Sequence, residues 1–358
     1  MRAVPFLKIV FCCLLSYPVF GELDFLRSQP HSTKYVCPPC YHVDDVFETA
    51  IYRQPGQCKV CGMTLIENPK EKIINDVSIH QGSGNLLIDV GNEQDNRSVR
   101  VFYYAPSALN DESNVLIVLP GAGRDAWGYR DAWKTAAEKH SVLILSLYYD
   151  ESTYPEFWNY NLARMIANVE VDEKKSQIKD FTLTVDPERW LFGDFDRVFK
   201  FVVNALNMNT VSYDLFGHSA GGQILQRYAL FHTTNKANKI ISANSGWYTV
   251  PSFENVFPYG LYNSPLEDID LESAFRQNLV LLVGEKDDAN ETRGHLVRND
   301  KVDLQGTHRL ERANYFYKTA KREAKQQKLD FHWQLRIIEN TGHDHAKMTK
   351  AAEQYLYH

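Results

Sequence analysis

Cysteine disappears from this chain early. All six cysteines of the 358 residues fall at or before Cys61, and the remaining 297 residues contain none. Whatever folds beyond residue 61 has no disulfide or thiolate metal site of its own, so its core alone must hold it together. A basic excess is also missing. The net charge is −6 and no long run of Lys or Arg occurs, so a nucleic-acid partner is not expected. No segment approaches 18 consecutive apolar residues, so stable membrane insertion is not expected either. No internal repeat is visible. What is present is ordinary globular material, with 44% apolar and 23% charged residues. The length suffices for one large domain plus a small one.

Residues 1–21 read as a signal peptide. Arg2 gives the positive start, Ile9 to Phe20 the apolar stretch, and Val19-Phe20-Gly21 the cleavage region. The expected location is therefore secreted, periplasmic or lumenal. Two N-x-S/T sequons, at Asn96 and Asn290, acquire meaning only in a eukaryotic export route. Cys12 and Cys13 leave with the signal peptide. The mature chain keeps Cys37, Cys40, Cys58 and Cys61, all within 25 residues. They form C-x2-C, a gap of 17 residues, and C-x2-C. Each pair makes a knuckle with two thiolates facing one point, as in a four-cysteine zinc site. Pro55-Gly56 turns the chain between them. Residues 31–66 are too few to fold on apolar burial alone, so a structural metal would supply stability. Two disulfides are the alternative that an exported protein permits. Four thiolates favour zinc over copper, and Met63 keeps a softer metal open. Residues 67–82 are polar, with Pro and Gly, and read as a linker.

Residues 83–358 alternate strand-like and helix-like segments. Leu86–Val90 and Val99–Tyr104 read as an antiparallel hairpin. Val115–Leu119, Ser141–Leu147, Lys239–Ala243 and Leu279–Val283 are apolar runs suited to strands buried on both faces. Phe331–Ile338 reads as the last strand. Tyr129–His140, Trp190–Leu206, Gly222–Phe231, His308–Lys328 and His345–Tyr357 have helical spacing. Tyr148 to about Glu188 reads as a long irregular, aromatic-rich region. The expected fold class is α/β, a doubly wound and mostly parallel sheet.

Between the Val211–Phe216 strand and the following helix lies Gly217-His218-Ser219-Ala220-Gly221. Strand, G-x-S-x-G, helix is the signature of a strained turn that lifts a serine hydroxyl clear of the sheet. The flanking glycines answer to crowding around that turn. Serine needs a base, and the base needs an orienting carboxylate, each at a strand end. Asp287, three residues past Gly284, is the candidate acid, with Asp288 and Glu285 as rivals. His343, directly after Gly342, is the candidate base, with His345 as second choice. His218 is expected to point away. The backbone N–H groups of Ala220 and Ala122 are the candidate oxyanion donors. Tyr149, Trp158, Trp247, Tyr248 and Tyr259 are candidate walls of the substrate pocket.

Two resemblances extend this reading. Tyr35-x-Cys-Pro followed by Pro-Gly-x-Cys-x-x-Cys-Gly-Met-x-Leu65 resembles the heavy-metal-binding domain found beside copper and silver efflux proteins. Lys59 stands where that family usually has proline. The larger part resembles α/β-hydrolases, close to dienelactone-hydrolase-like and polyhydroxyalkanoate-depolymerase-like esterases. The carrying segments are Pro120 to Trp127, Tyr213 to Gly222, Asn244 to Pro251, Phe257 to Leu261 and Gly342 to Met348. A dienelactone hydrolase proper would use cysteine where this chain has Ser219, and Pro120 stands where hydrolases often have histidine. The resemblance implies the fold and the triad; with the signal peptide, the expectation is an exported serine esterase acting on a small or polymeric ester, with no cofactor for catalysis. Two other readings stay open: a metal-binding or sensing protein on a catalytically silent scaffold, and a serine peptidase. Oligomeric state is not legible.

Overall fold

The apolar runs alternate side chains between two faces, and both faces are covered. In β6 (Val115–Leu119), Val115, Ile117 and Leu119 enter one buried cluster, while Leu116 and Val118 enter another. Such two-sided burial is what a continuous apolar run requires. The computed structural model describes residues 79–91, 97–266 and 268–357, with short pieces at 35–36, 51–52, 56 and 66–67. The short pieces pair as a three-stranded antiparallel sheet, with β1 (Tyr35–Val36) between β2 (Ile51–Tyr52) and β3 (Ile66–Glu67). The signal peptide and Cys37, Cys40, Cys58 and Cys61 lie outside the described residues.

The main sheet has eight strands in the order β13-β12-β11-β10-β6-β7-β5-β4. Its antiparallel edge is β4 (Gly82–Asp89), β5 (Ser98–Ala105) and the contact of β5 with β7 (Leu143–Tyr148). The other neighbours, through β10 (Tyr213–His218), β11 (Ala237–Ala243), β12 (Leu279–Gly284) and β13 (Gln334–Ile338), run parallel. The mostly parallel sheet expected from the sequence is therefore present. One face carries α4 (Phe192–Leu206), α5 (Ala220–Phe231), α6 (Leu271–Arg276) and α7 (Arg309–Gln327). The other carries α1 (Ala126–Ala132), α2 (Lys134–His140) and α8 (His345–Tyr357).

Three local differences matter. The segment read as one helix from Tyr129 starts at Ala126, where the Asp125 carboxylate caps it through the Gly128 N–H at 2.9 Å. It then breaks at Trp133, whose indole packs edge-on against Phe216. The region read as irregular contains α3 (Phe157–Tyr160) and a separate antiparallel hairpin, β8 (Ile166–Asp172) and β9 (Gln177–Leu183). Finally, α6 was not legible as a helix. Among the described residues, no helix is long and apolar enough to cross a membrane.

Candidate active site

The turn between β10 and α5 is shaped by backbone crowding. Ser219 sits at φ 56° and ψ −112°, outside the ordinary regions for an L residue. A Cβ on Gly217 would stand 2.4 Å from the Gly221 carbonyl oxygen, and one on Gly221 would stand 2.1 Å from that of Leu119. Only glycine fits either position. The Ser219 N–H is tied to the Ala243 carbonyl at 2.9 Å. The hydroxyl is thus aimed away from the sheet by chain geometry rather than by side-chain packing.

The carboxylate and imidazole arrive from the ends of the last two strands of the sheet. Asp287 follows β12 and His343 follows β13. His343 Nε2 lies 3.1 Å from Ser219 Oγ, and His343 Nδ1 lies 2.8 Å from Asp287 Oδ2. The three candidates are therefore brought into one hydrogen-bonded line. The rivals are engaged elsewhere. Glu285 accepts from the Asn340 N–H and Asp288 from the Asn290 N–H. His345 stacks on Tyr129 with ring centroids 4.4 Å apart. His218 bonds Tyr129 through Nδ1 and faces Asn244 with Nε2.

Charge adds to close backbone packing in this half of the site. Asp287 is buried, and its second oxygen pairs with the buried Arg309 at 3.0 Å. The other end of that guanidinium donates to the Gly294 and His295 carbonyls. Glu291 accepts the His343 backbone N–H at 2.6 Å. The Arg293 guanidinium beside it holds the Glu291 carboxyl down to about 2, so this anchor stays ionised across the neutral range. Burial lowers the His343 pKa, and the Asp287 hydrogen bond opposes that shift. The imidazole is therefore a neutral proton acceptor near pH 7.

Ser219 and His343 open into a cavity of about 930 Å³. Ala122 and Ala220 line it on one side of the serine. Ala220 opens α5, where the first N–H groups have no intrahelical acceptor. The Ala122 N–H has no backbone acceptor among the described residues. Of the five aromatic wall candidates, Trp247 and Tyr259 line the cavity, their rings 5.3 Å apart. The other three stand elsewhere. Tyr149 is fully buried and donates to Asp194. Tyr248 is buried against Phe316 with stacked rings. Trp158 packs on Phe157 and the core. The hairpin β8–β9 takes their place, contributing Val171, Glu173, Ser176 and Ile178. Its signal was present as the alternation Val169, Val171 before the polar turn Glu173-Lys-Lys-Ser176. Gln223, on α5 one turn beyond Ser219, is another lining residue the sequence did not single out.

Among solved structures, the chain is similar to poly(aspartic acid) hydrolase-1 from Sphingomonas sp. KT-1. Identity is 28% and the TM-score 0.69, over 78% of this chain and 100% of that one. It is also similar to LpqC, a poly(3-hydroxybutyrate) depolymerase from Bordetella parapertussis. There identity is 26% and the TM-score 0.66, over 78% of this chain and 91% of the other. No family model and no curated protein matches the chain. The topology and these similarities make the fold that of an α/β-hydrolase.

Proposed function

We propose that this chain is an exported serine hydrolase that cleaves carboxylic esters, with Ser219, His343 and Asp287 as its triad. The observation that carries the reading is the line from Asp287 through His343 to Ser219, with spacings of 2.8 and 3.1 Å, at the wall of a cavity. Ser219 Oγ attacks the ester carbonyl while its proton passes to His343 Nε2. The new C–O bond pushes the carbonyl π pair onto oxygen, where the Ala122 and Ala220 N–H groups receive it. Asp287 holds the imidazole by its Nδ1–H and balances the imidazolium. The proton then goes to the departing alcohol, leaving an acyl-serine. Water repeats the sequence, releasing the acid and restoring Ser219. The metal assigned to Cys37, Cys40, Cys58 and Cys61 rests on their spacing. It enters no step, because four thiolates fill a tetrahedral zinc.

The two similar proteins named above act, by their names, on a polyaspartate and on a polyester. The cavity favours a neutral ester. Asp125, Glu151, Glu173 and Asp344 line it together with Arg124 and Arg293. Arg293 is held by Glu291 and Asp344, and Arg124 lies over Tyr160 while donating to the Tyr149 carbonyl. Trp247, Tyr259, Phe157, Val171 and Ile178 supply apolar wall. The test is a panel of neutral esters of varied acyl length beside poly(aspartic acid), with wild type and Ser219→Ala. Ester turnover lost in the variant is expected. Turnover of the polyanion alone would overturn the ester assignment.

A further inference from the structure

Tyr129, on α1, lines the cavity beside the Pro120-Gly121-Ala122 turn. A Cβ built on Gly121 would stand 3.0 Å from its hydroxyl oxygen and 3.5 Å from Ser219 Cβ. The hydroxyl and the nucleophile therefore flank the same turn. The hydroxyl's one side-chain partner among the described residues is His218, whose Nδ1 lies 2.8 Å from the oxygen. The direction of the His218 bond decides where the phenol proton points.

Asn244 fixes that direction. Its Oδ1 accepts the Gly284 N–H at 2.9 Å, and its Nδ2 donates to the Gly342 carbonyl at 3.1 Å. Backbone partners at both ends leave one orientation for the amide. Nδ2 also faces His218 Nε2 at 3.3 Å. A nitrogen that only donates makes Nε2 the acceptor. Burial holds the His218 imidazole well below its ordinary pKa, so the ring is neutral and carries one proton. That proton sits on Nδ1 and donates to Tyr129. The phenol oxygen thus accepts from His218, and its own proton has no protein acceptor among the described residues. An incoming donor polarises the O–H and strengthens it as a donor. Burial also pushes the phenol far above its ordinary pKa, so it stays protonated.

We propose that the Tyr129 hydroxyl is a third oxyanion donor, completing the hole formed by the Ala122 and Ala220 N–H groups. When the Ser219 Oγ–carbon bond forms, the carbonyl electron pair moves to oxygen and the phenol hydrogen-bonds to it. No proton leaves Tyr129. This inference rests on the role proposed for Ser219.

The experiment is ester kinetics of Tyr129→Phe in the full-length protein, with the affinity of a boronic acid that forms a tetrahedral adduct on serine. A kcat loss of about 10²-fold is expected, the size seen for removal of one oxyanion donor. KM should change little, and boronate affinity should fall in parallel. A kcat within about threefold of wild type, with an unchanged melting temperature, would overturn the proposal. Should the variant fold poorly, Tyr129→3-fluorotyrosine decides. A more acidic phenol donates better and accepts worse, so an undiminished or raised kcat supports donation and a lowered one refutes it. A Ser219→Ala variant that keeps turnover overturns the Ser219 reading and this one with it. An inactive Ser219→Ala beside a fully active Tyr129→Phe overturns this one alone.

Discussion

The two halves of the site are held by different physics. Ser219 is placed by the backbone: Gly217 and Gly221 allow the chain to pass within contact distance of itself, and no charged group is involved. Asp287 and His343 are fixed in addition by charge, through the buried Arg309 on one oxygen of Asp287 and Glu291 on the His343 N–H. Sterically held groups fail abruptly when a methyl is added. Electrostatically held groups fail by degrees, and their failure depends on pH.

The sharpest way to break this contrast is Gly221→Ala. The added carbon would meet the Leu119 and Pro120 carbonyl oxygens at 2.1 and 2.8 Å. Both are backbone atoms of the central sheet and its turn, so the elbow itself must shift. A displacement near 1 Å costs about 10²-fold, and kcat on an ester substrate should fall by at least that much at every pH. Arg309→Met comes next. Removing one partner of a buried ion pair costs about 3–5 kcal/mol of stability, which denaturant unfolding will read. Loss of its positive charge also raises the His343 pKa. The acid limb of the kcat/KM profile should therefore move to higher pH, whereas Gly221→Ala leaves its position alone. In the wild type, the imidazole must be neutral to accept the proton and its pKa is lowered. Activity should therefore rise with pH through a midpoint below 6.5, the ordinary histidine value. A midpoint above that value contradicts the burial argument. Glu291→Gln is milder, since a neutral acceptor still reaches the His343 N–H. A several-fold loss of kcat is expected, checked by steady-state kinetics at neutral pH. The smallest effect is assigned to chelation of the metal proposed for the four cysteines. Bound metal should be lost, by elemental analysis, while ester hydrolysis stays within about twofold, as expected of a saturated structural site.

What was legible in the sequence follows the same division. Glycine spacing marks steric sites, so the elbow was readable from Gly217 to Gly221. Gly284 and Gly342 likewise pointed to Asp287 and His343. A Cβ on Gly284 would collide with the Thr341 carbonyl at 2.2 Å, so the residue types record how closely those loops pass. Contacts made by charged side chains leave no such trace. Arg309 lies 22 residues from Asp287, and Glu291 lies 52 residues from His343. Nothing local distinguishes either from a surface charge. The aromatics failed for a related reason. Tyr149 and Tyr248 follow strands, as Trp247 does, but whether such a ring turns to the cavity or the core depends on partners such as Asp194 and Phe316. The central strands were clear because two-sided burial writes itself as an apolar run. The β8–β9 hairpin was missed because its two strands mix polar with apolar residues and are only partly buried.

The central claim is that Ser219 is the nucleophile of an ester hydrolase. The most direct measurement is a fluorophosphonate probe on the folded, full-length protein, followed by peptide mass analysis and ester kinetics on the same sample. The account predicts one adduct, on Ser219, with activity lost in proportion to labelling and no adduct on Ser219→Ala. Undiminished hydrolysis by a fully labelled protein, or equal hydrolysis by Ser219→Ala, would contradict it.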